Sequence, residues 1–129
     1  MTKTDIILIE DDPLVGEIAL DILTGGGYAV RWVQDPGEAV TAVKKARPKL
    51  VITDIMMPGV SGMDLCKTIS STPELAEVKL MVMSAKNFEI EKYRARMFGA
   101  LHFLTKPFTE KGLLKAVKDV LSHPTVRPH

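Results

Sequence analysis

Five short apolar runs recur along this chain, each followed by a stretch whose apolar residues fall at helical spacing, and this alternation limits the fold more than any other feature. The runs are Asp5–Ile9 (DIILI), Ala29–Val33, Leu50–Thr53 (LVIT), Val78–Met83 (VKLMVM) and Ala100–Leu104. Nearly continuous Ile, Leu and Val marks strands covered on both faces. Val15, Ile18, Ala19, Ile22 and Leu23 predict a first helix, with Asp12 as N-cap, Pro13 at its first position and Gly25–Gly27 as its stop. Asp35, Pro36 and Glu38 form a capping-box-like start to a second helix carrying Ala39, Val40, Val43 and Ala46, stopped by Arg47–Pro48. A third is predicted over Gly62–Ser70, a fourth carries Ile90, Tyr93 and Met97, and a fifth begins at Thr109 and carries Leu113, Leu114, Val117, Val120 and Leu121. Parallel strands need crossover connections, so strand-helix order repeated five times predicts an α/β fold, a doubly wound parallel sheet with helices on both faces.

A length of 129 residues suits one domain, expected over residues 1–122, with 123–129 a C-terminal tail or the start of a linker. A formal charge of +1, from 17 basic and 16 acidic residues, gives no basic surplus for a nucleic-acid backbone and no acidic excess for disorder. The single cysteine, Cys66, excludes an internal disulfide and suits a reducing compartment; in MDLCKTI it reads as a small buried hydrophobe rather than a reactive thiol. No apolar run approaches the roughly 18 residues needed to cross a bilayer, and MTKTD lacks the pattern of a secretion signal. These features predict a soluble, cytoplasmic domain without membrane contact and without direct nucleic-acid binding.

In open doubly wound sheets, ligands bind beyond the carboxyl ends of the strands, where strand order reverses. The first strand is followed by Glu10, Asp11 and Asp12, the third by Asp54, the fourth by Ser84, and the fifth by Lys106 and Pro107. Taken singly, each has a structural explanation; Asp12 before Pro13 caps a helix and Lys-Pro punctuates loops. Together they bring carboxylates, a hydroxyl and a lysine to one rim. Gathered carboxylates repel one another unless a cation compensates. Oxygen ligands of this kind suit magnesium, which takes one or two carboxylates and keeps several waters. A carboxylate can also act as nucleophile toward phosphorus, giving an aspartyl-phosphate, while a metal, a lysine and a hydroxyl share the phosphoryl charge.

IEDDP after the first strand, DIMMPGVSG after the third, MSA after the fourth and FLTKPF around the fifth resemble the signature of response-regulator receiver domains, such as the chemotaxis regulator. The resemblance extends from about Lys3 to Leu121. It implies a flavodoxin-like five-stranded sheet of order 2-1-3-4-5 and a receiver of a two-component system that takes a phosphoryl group from a histidine kinase phosphohistidine, or from a phosphotransfer protein, in a Mg2+-dependent reaction. Asp54 would be the phosphoacceptor. Asp11 would hold the metal directly, Glu10 through water, and Met56 through its backbone carbonyl. Lys106, Ser84 and the Ala85 amide would bind phosphoryl oxygens, and the Lys106–Pro107 bond would be cis. Pro58 and Gly62 would shape the loop after Asp54. Phosphorylation would draw Ser84 toward the phosphoryl group and swing Phe103 inward, changing the face formed by helix 4, strand 5 and helix 5; Phe103 could instead be a permanent core aromatic. Helix 1 would help to dock the kinase.

Two departures from the family pattern matter. In winged-helix transcription factors of the family, acidic residues follow the Gly-Ala before strand 5 and join a charged dimer interface. Leu101 and His102 stand here, so that dimer is not expected, and His102 is expected at the surface rather than in a metal site. Met56 and Lys86 replace polar or acidic side chains that help orient water, which predicts slow autodephosphorylation. The receiver would catalyse only its own phosphorylation and dephosphorylation and would not be a turnover enzyme. Two alternatives remain: a non-phosphorylated scaffold, and an enzyme on a similar fold. An aspartyl-phosphate phosphatase would want D-x-D after the first strand, which IEDDP does not supply, and a flavin or nucleotide binder would want a glycine-rich loop there. The output, an effector protein or a C-terminal domain beyond His129, is open. An Asp54 carboxylate buried away from Asp11 and Lys106 would end the receiver reading.

Overall fold

The computed structural model describes residues 3–124. Five strands, β1 (Ile6–Ile9), β2 (Val30–Val33), β3 (Leu50–Asp54), β4 (Lys79–Ser84) and β5 (Ala100–Thr105), pair in parallel in the order β2-β1-β3-β4-β5. Between and after them run α1 (Pro13–Gly25), α2 (Ala39–Ala46), α3 (Gly62–Ser70), α4 (Glu89–Met97) and α5 (Glu110–Leu121). The doubly wound architecture and the strand order are as expected. Of the tail predicted over 123–129, residues 125–129 lie outside the described residues. No helix among the described residues is long and apolar enough to cross a membrane.

Successive strand side chains point to opposite faces, so the apolar runs supply two cores at once. Ile7, Ile9, Val51, Leu80 and Val82 face α2, α3 and α4, where Val43, Leu65 and Ile69 meet them. Ile6, Leu8, Ile52, Met81 and Met83 face α1 and α5, where Leu23, Leu113 and Val117 meet them. All four residues of β1 are fully buried. At about 1.5–3 kcal/mol for each buried aliphatic side chain, their gross contribution rivals the net stability of a typical domain, about 5–15 kcal/mol. Slipping β1 by one residue would forfeit it, so Glu10, the next residue, is held firmly in place.

Asp12 caps α1 as predicted, its carboxylate accepting from the Leu14 amide at 2.9 Å. The second helix begins differently. Asp35 accepts from the Gly37 amide at 2.9 Å, but Pro36–Glu38 winds as a 3-10 turn and Glu38 makes no reciprocal cap. Gly37 is a poor helix former, and α2 starts only at Ala39. It ends at Arg47, whose left-handed φ of 45° closes the helix with its N–H on the Val43 carbonyl, and Pro48 cannot continue it. A second 3-10 turn, Pro73–Leu75, was not foreseen; it plugs the core with Leu75. The apolar spacing that marks α4 is not its buried face: Ile90, Tyr93 and Met97 are exposed, and Ala95 is the residue α4 buries.

Candidate functional site

Parallel strands end on one edge of the sheet, so their last residues share a rim. β3 and β4 each run one residue further than the apolar pattern indicated, which makes Asp54 and Ser84 the last ladder residues, paired with Met83 and Thr105. Glu10 and Asp11 leave β1 beside them, and Lys106 follows β5.

Lys106 joins these strand ends. Its Nζ donates to Asp54 Oδ2 at 2.5 Å and to Glu10 Oε1 at 2.7 Å, and its backbone N–H donates to the Ser84 carbonyl at 2.8 Å. The Lys106–Pro107 bond is cis. Backbone amides reach the other oxygen of each carboxylate: Asp12 N–H donates to Glu10 Oε2 and Met56 N–H to Asp54 Oδ1, both at 3.2 Å. Asp11 differs. Its carboxylate has no hydrogen bond or ion pair among the described residues, yet carboxylate oxygens of Glu10, Asp11 and Asp54 lie within 4.8 Å of one another.

The electrostatics follow from that crowding. Burial pushes Glu10 up to about 7; the hydrogen bond from Lys106 offsets part of this, and the charge of Asp54 adds to the rise. Burial works to lower Lys106, but its hydrogen bonds to Asp54 and Glu10 prevail and hold the ammonium above its ordinary value. Two buried carboxylates and one lysine leave an excess of negative charge facing the unpartnered Asp11. A divalent cation with oxygen ligands suits such a set.

Several supports were not singled out in the sequence. The Trp32 indole donates to the Glu10 carbonyl at 2.9 Å, which fixes the backbone where the acidic pair begins. Gly16 makes room for it, since a Cβ there would overlap the indole ring. The fully buried Thr53 hydroxyl donates to the Asp54 carbonyl at 3.0 Å. Gly62, already expected to shape this loop, packs so tightly that a Cβ would collide with the same carbonyl. A glycine and a tryptophan far apart in sequence carried the only signal for the first support.

Other predicted residues stand apart from the cluster. Ser84 is buried, and its Oγ accepts from the Lys86 amide at 3.0 Å within its own loop. Ala85 is exposed beside it, and the Met56 side chain points away, 59% exposed. Phe103 is half-buried against the core that faces α2–α4. His102 lies partly exposed in a shallow surface pocket on β5, where burial lowers its pKa; it takes no part in the acidic cluster. A cavity of about 710 Å³, lined by Met57, Met63, Ser84, Lys86 and Phe98 among others, opens beside Ser84. Cys66 is buried, as expected.

A parallel sheet of this order, closed at its carboxyl rim by three acids and a lysine on a cis peptide, defines the class of protein. The chain belongs to the response regulator receiver domain family of two-component systems, whose profile matches residues 6–118. It is 31% identical over 113 residues to the DNA-binding response regulator MtrA of Mycolicibacterium smegmatis, covering 88% of this chain and 48% of that protein. The chain thus spans about half the length of the curated relatives it matches. The non-phosphorylated receiver domain of HemR from Leptospira biflexa superposes with a TM-score of 0.84 at 30% identity, over 98% of this chain and 99% of that one. The receiver domain of a signal transduction histidine kinase from Syntrophus aciditrophicus gives 0.82 at 31% identity, over 92% and 90%.

Proposed function

We propose that the chain is a phosphoacceptor receiver that takes a phosphoryl group onto Asp54 from the phosphohistidine of a sensor histidine kinase or a phosphotransfer protein. The observation that carries this reading is the sharing of Lys106 between Asp54 and Glu10, with the carboxylate of Asp11 left open beside them. Glu10, Asp11, Asp54 and the Met56 carbonyl would hold Mg2+, Asp11 directly and Glu10 through water. Bound there, the ion neutralises negative charge on the phosphoryl oxygens.

An Asp54 oxygen forms the new bond to phosphorus as the phosphorus–nitrogen bond of the donor breaks, its electron pair leaving with the imidazole. Formation of the acyl phosphate removes the charge that Lys106 now neutralises on Asp54, and the ammonium turns to donate to a phosphoryl oxygen. Ser84 exchanges its bond from the Lys86 amide for donation to another phosphoryl oxygen, with the Ala85 amide adding a further donor. Phe103 moves inward as Ser84 departs, which alters the surface of α4, β5 and α5. The domain acts on itself alone, in the cytoplasm, and signals by protein contact to an effector or an attached output domain. The family pairing of Lys106 with the acid cluster favours this over a scaffold without phosphotransfer.

Acetyl phosphate, or beryllofluoride, with Mg2+ tests the proposal. Wild type gains one phosphoryl group by mass, or a changed Trp32 fluorescence, and Asp54→Asn shows neither. Labelling that persists in Asp54→Asn, or a wild type inert to both reagents, would overturn it.

A further inference from the structure

The turn that carries the acidic pair is held by side chains from β2. No main-chain N–H among the described residues donates to the carbonyl of Glu10 or of Asp11. Trp32 on β2 and Gln34, just past its end, lie two apart in extended chain and so face the same way. The Trp32 indole donates to the Glu10 carbonyl at 2.9 Å, and the Gln34 amide to the Asp11 carbonyl at 3.4 Å. The indole lies against Gly16, a buried residue of α1, where a Cβ would overlap the ring and its nitrogen. A glycine inside a helix costs stability relative to alanine, and here it admits the ring. Of Glu10, Asp11 and Asp54, Asp11 is the acid whose carboxylate has no hydrogen bond or ion pair among the described residues. Its direction is therefore set through its backbone.

We propose that Trp32, and more weakly Gln34, are positioning residues that set how tightly the chain takes up Mg2+. This rests on the reading of Glu10 and Asp11 as metal ligands and adds two residues that touch neither the metal nor the phosphoryl group. A peptide unit is planar. The Glu10 carbonyl lies in the plane before Asp11, and the Asp11 carbonyl in the plane after it. Holding both planes fixes φ and ψ of Asp11, and with them the direction of its Cα–Cβ bond. Mg2+ demands near-octahedral geometry, so a carboxylate already aimed binds it better than one free to swing. Hydrogen bonds made to the ligand group itself are worth about 10–100-fold in metal affinity. Made to its backbone they are worth less, about threefold to tenfold for Trp32. Gln34 is exposed and its bond is long, which limits its share to about twofold.

Urea unfolding of the full chain over a range of Mg2+ concentrations, followed by circular dichroism, yields metal-free stability and the Mg2+ dissociation constant of each variant separately. Trp32→Phe, which keeps an aromatic ring and loses the donor, weakens Mg2+ binding by about threefold to tenfold, and Gln34→Met does so by about twofold. Gly16→Ala weakens it in the wild type and adds less in Trp32→Phe, whose smaller ring leaves more room. Val30→Ala, on the same strand but reaching neither carbonyl, lowers stability and leaves Mg2+ affinity unchanged. Wild-type affinity in Trp32→Phe overturns the inference, as does an equal loss of affinity in Val30→Ala. If Trp32→Phe does not fold, Gly16→Ala and Gln34→Met decide in its place, and unchanged affinity in both overturns it. A wild type that Mg2+ does not stabilise overturns it together with the ligand reading beneath it, whereas the other failures leave that reading standing.

Discussion

At the rim where the strands begin, Asp5 accepts from the Ala29 amide at 2.9 Å and faces Lys49 at 3.6 Å, with 61% of the lysine side chain in water. At the rim where they end, Lys106 is shared between Asp54 and Glu10, side chains 11% and 0% exposed, with Asp11 crowded in beside them. The residue types are the same. The first rim sets one aspartate against one lysine where water screens the pair, and such a pair stabilises little. The second gathers more negative charge than its one buried lysine can neutralise, a condition a fold accepts at a site that takes up a cation or a transferred group.

The largest expected effect separates the rims directly. Lys106→Ala strands two buried carboxylates and should destabilise the metal-free chain by about 3 kcal/mol at pH 8, read from urea unfolding. Lys49→Ala should change stability by less than about 0.5 kcal/mol. Equal losses would erase the distinction.

The pH dependence sharpens it. The folded-state pKa of Glu10 is raised from 4.5 to about 7, so across that window the folded chain holds a proton that the unfolded chain releases. Stability of the metal-free chain therefore falls as pH rises through it, by about 3 kcal/mol in all and about 2 kcal/mol between pH 5.5 and pH 8, and the loss is complete above the folded pKa. Unfolding at pH 5.5 and pH 8 without metal should show this slope, Glu10→Gln should flatten it, and Mg2+ should restore stability at the higher pH. A wild type as stable at pH 8 as at pH 5.5 would mean that Glu10 is not held under this stress.

How much of this was legible follows from which forces are local. Alternating apolar runs and helical spacing report burial on one or two faces, a property of neighbouring residues, so the strands, helices and rim were readable, and motif resemblance supplied the strand order. The 3-10 turn at Pro73–Leu75 was not readable, because a single buried leucine after a proline has no periodicity. α4 misled for a related reason: the spacing of Ile90, Tyr93 and Met97 reports an amphipathic helix and is silent on which face the fold covers. Glu10, Asp54 and Lys106 were placed together because strand ends converge by topology. That Trp32 steadies Glu10 depends on a contact 22 residues apart, which no spacing encodes.

Glycines extend the contrast at smaller magnitude. A Cβ on Gly62 would collide with the Asp54 carbonyl, whereas one on Gly25, at the far end of α1, meets nothing within 4 Å. Gly62→Ala should cost about 1–3 kcal/mol and slow labelling by acetyl phosphate, because the backbone carrying Asp54 must shift. Gly25→Ala should stabilise by about 0.5–1 kcal/mol and leave labelling unchanged. A silent Gly62→Ala would mean that this loop yields freely and does not position the acceptor.

The smallest expected effect is a change of rate alone. Met56 lies two residues beyond Asp54, its amide on the acceptor carboxylate and the residue 59% exposed. A thioether is a weak acceptor and cannot orient a water for attack on an aspartyl-phosphate, whereas an amide in its place can. Met56→Asn should therefore speed loss of the phosphoryl group several-fold, equivalent to about 1 kcal/mol of barrier, while stability stays within about 0.5 kcal/mol because the site is exposed. The measurement is the decay of phosphorylated chain after the donor is removed, with Lys49→Ala as the control from the opposite rim. If the two decay alike, phosphate lifetime is set elsewhere on the rim, with Lys86 beside Ser84 the next position to exchange.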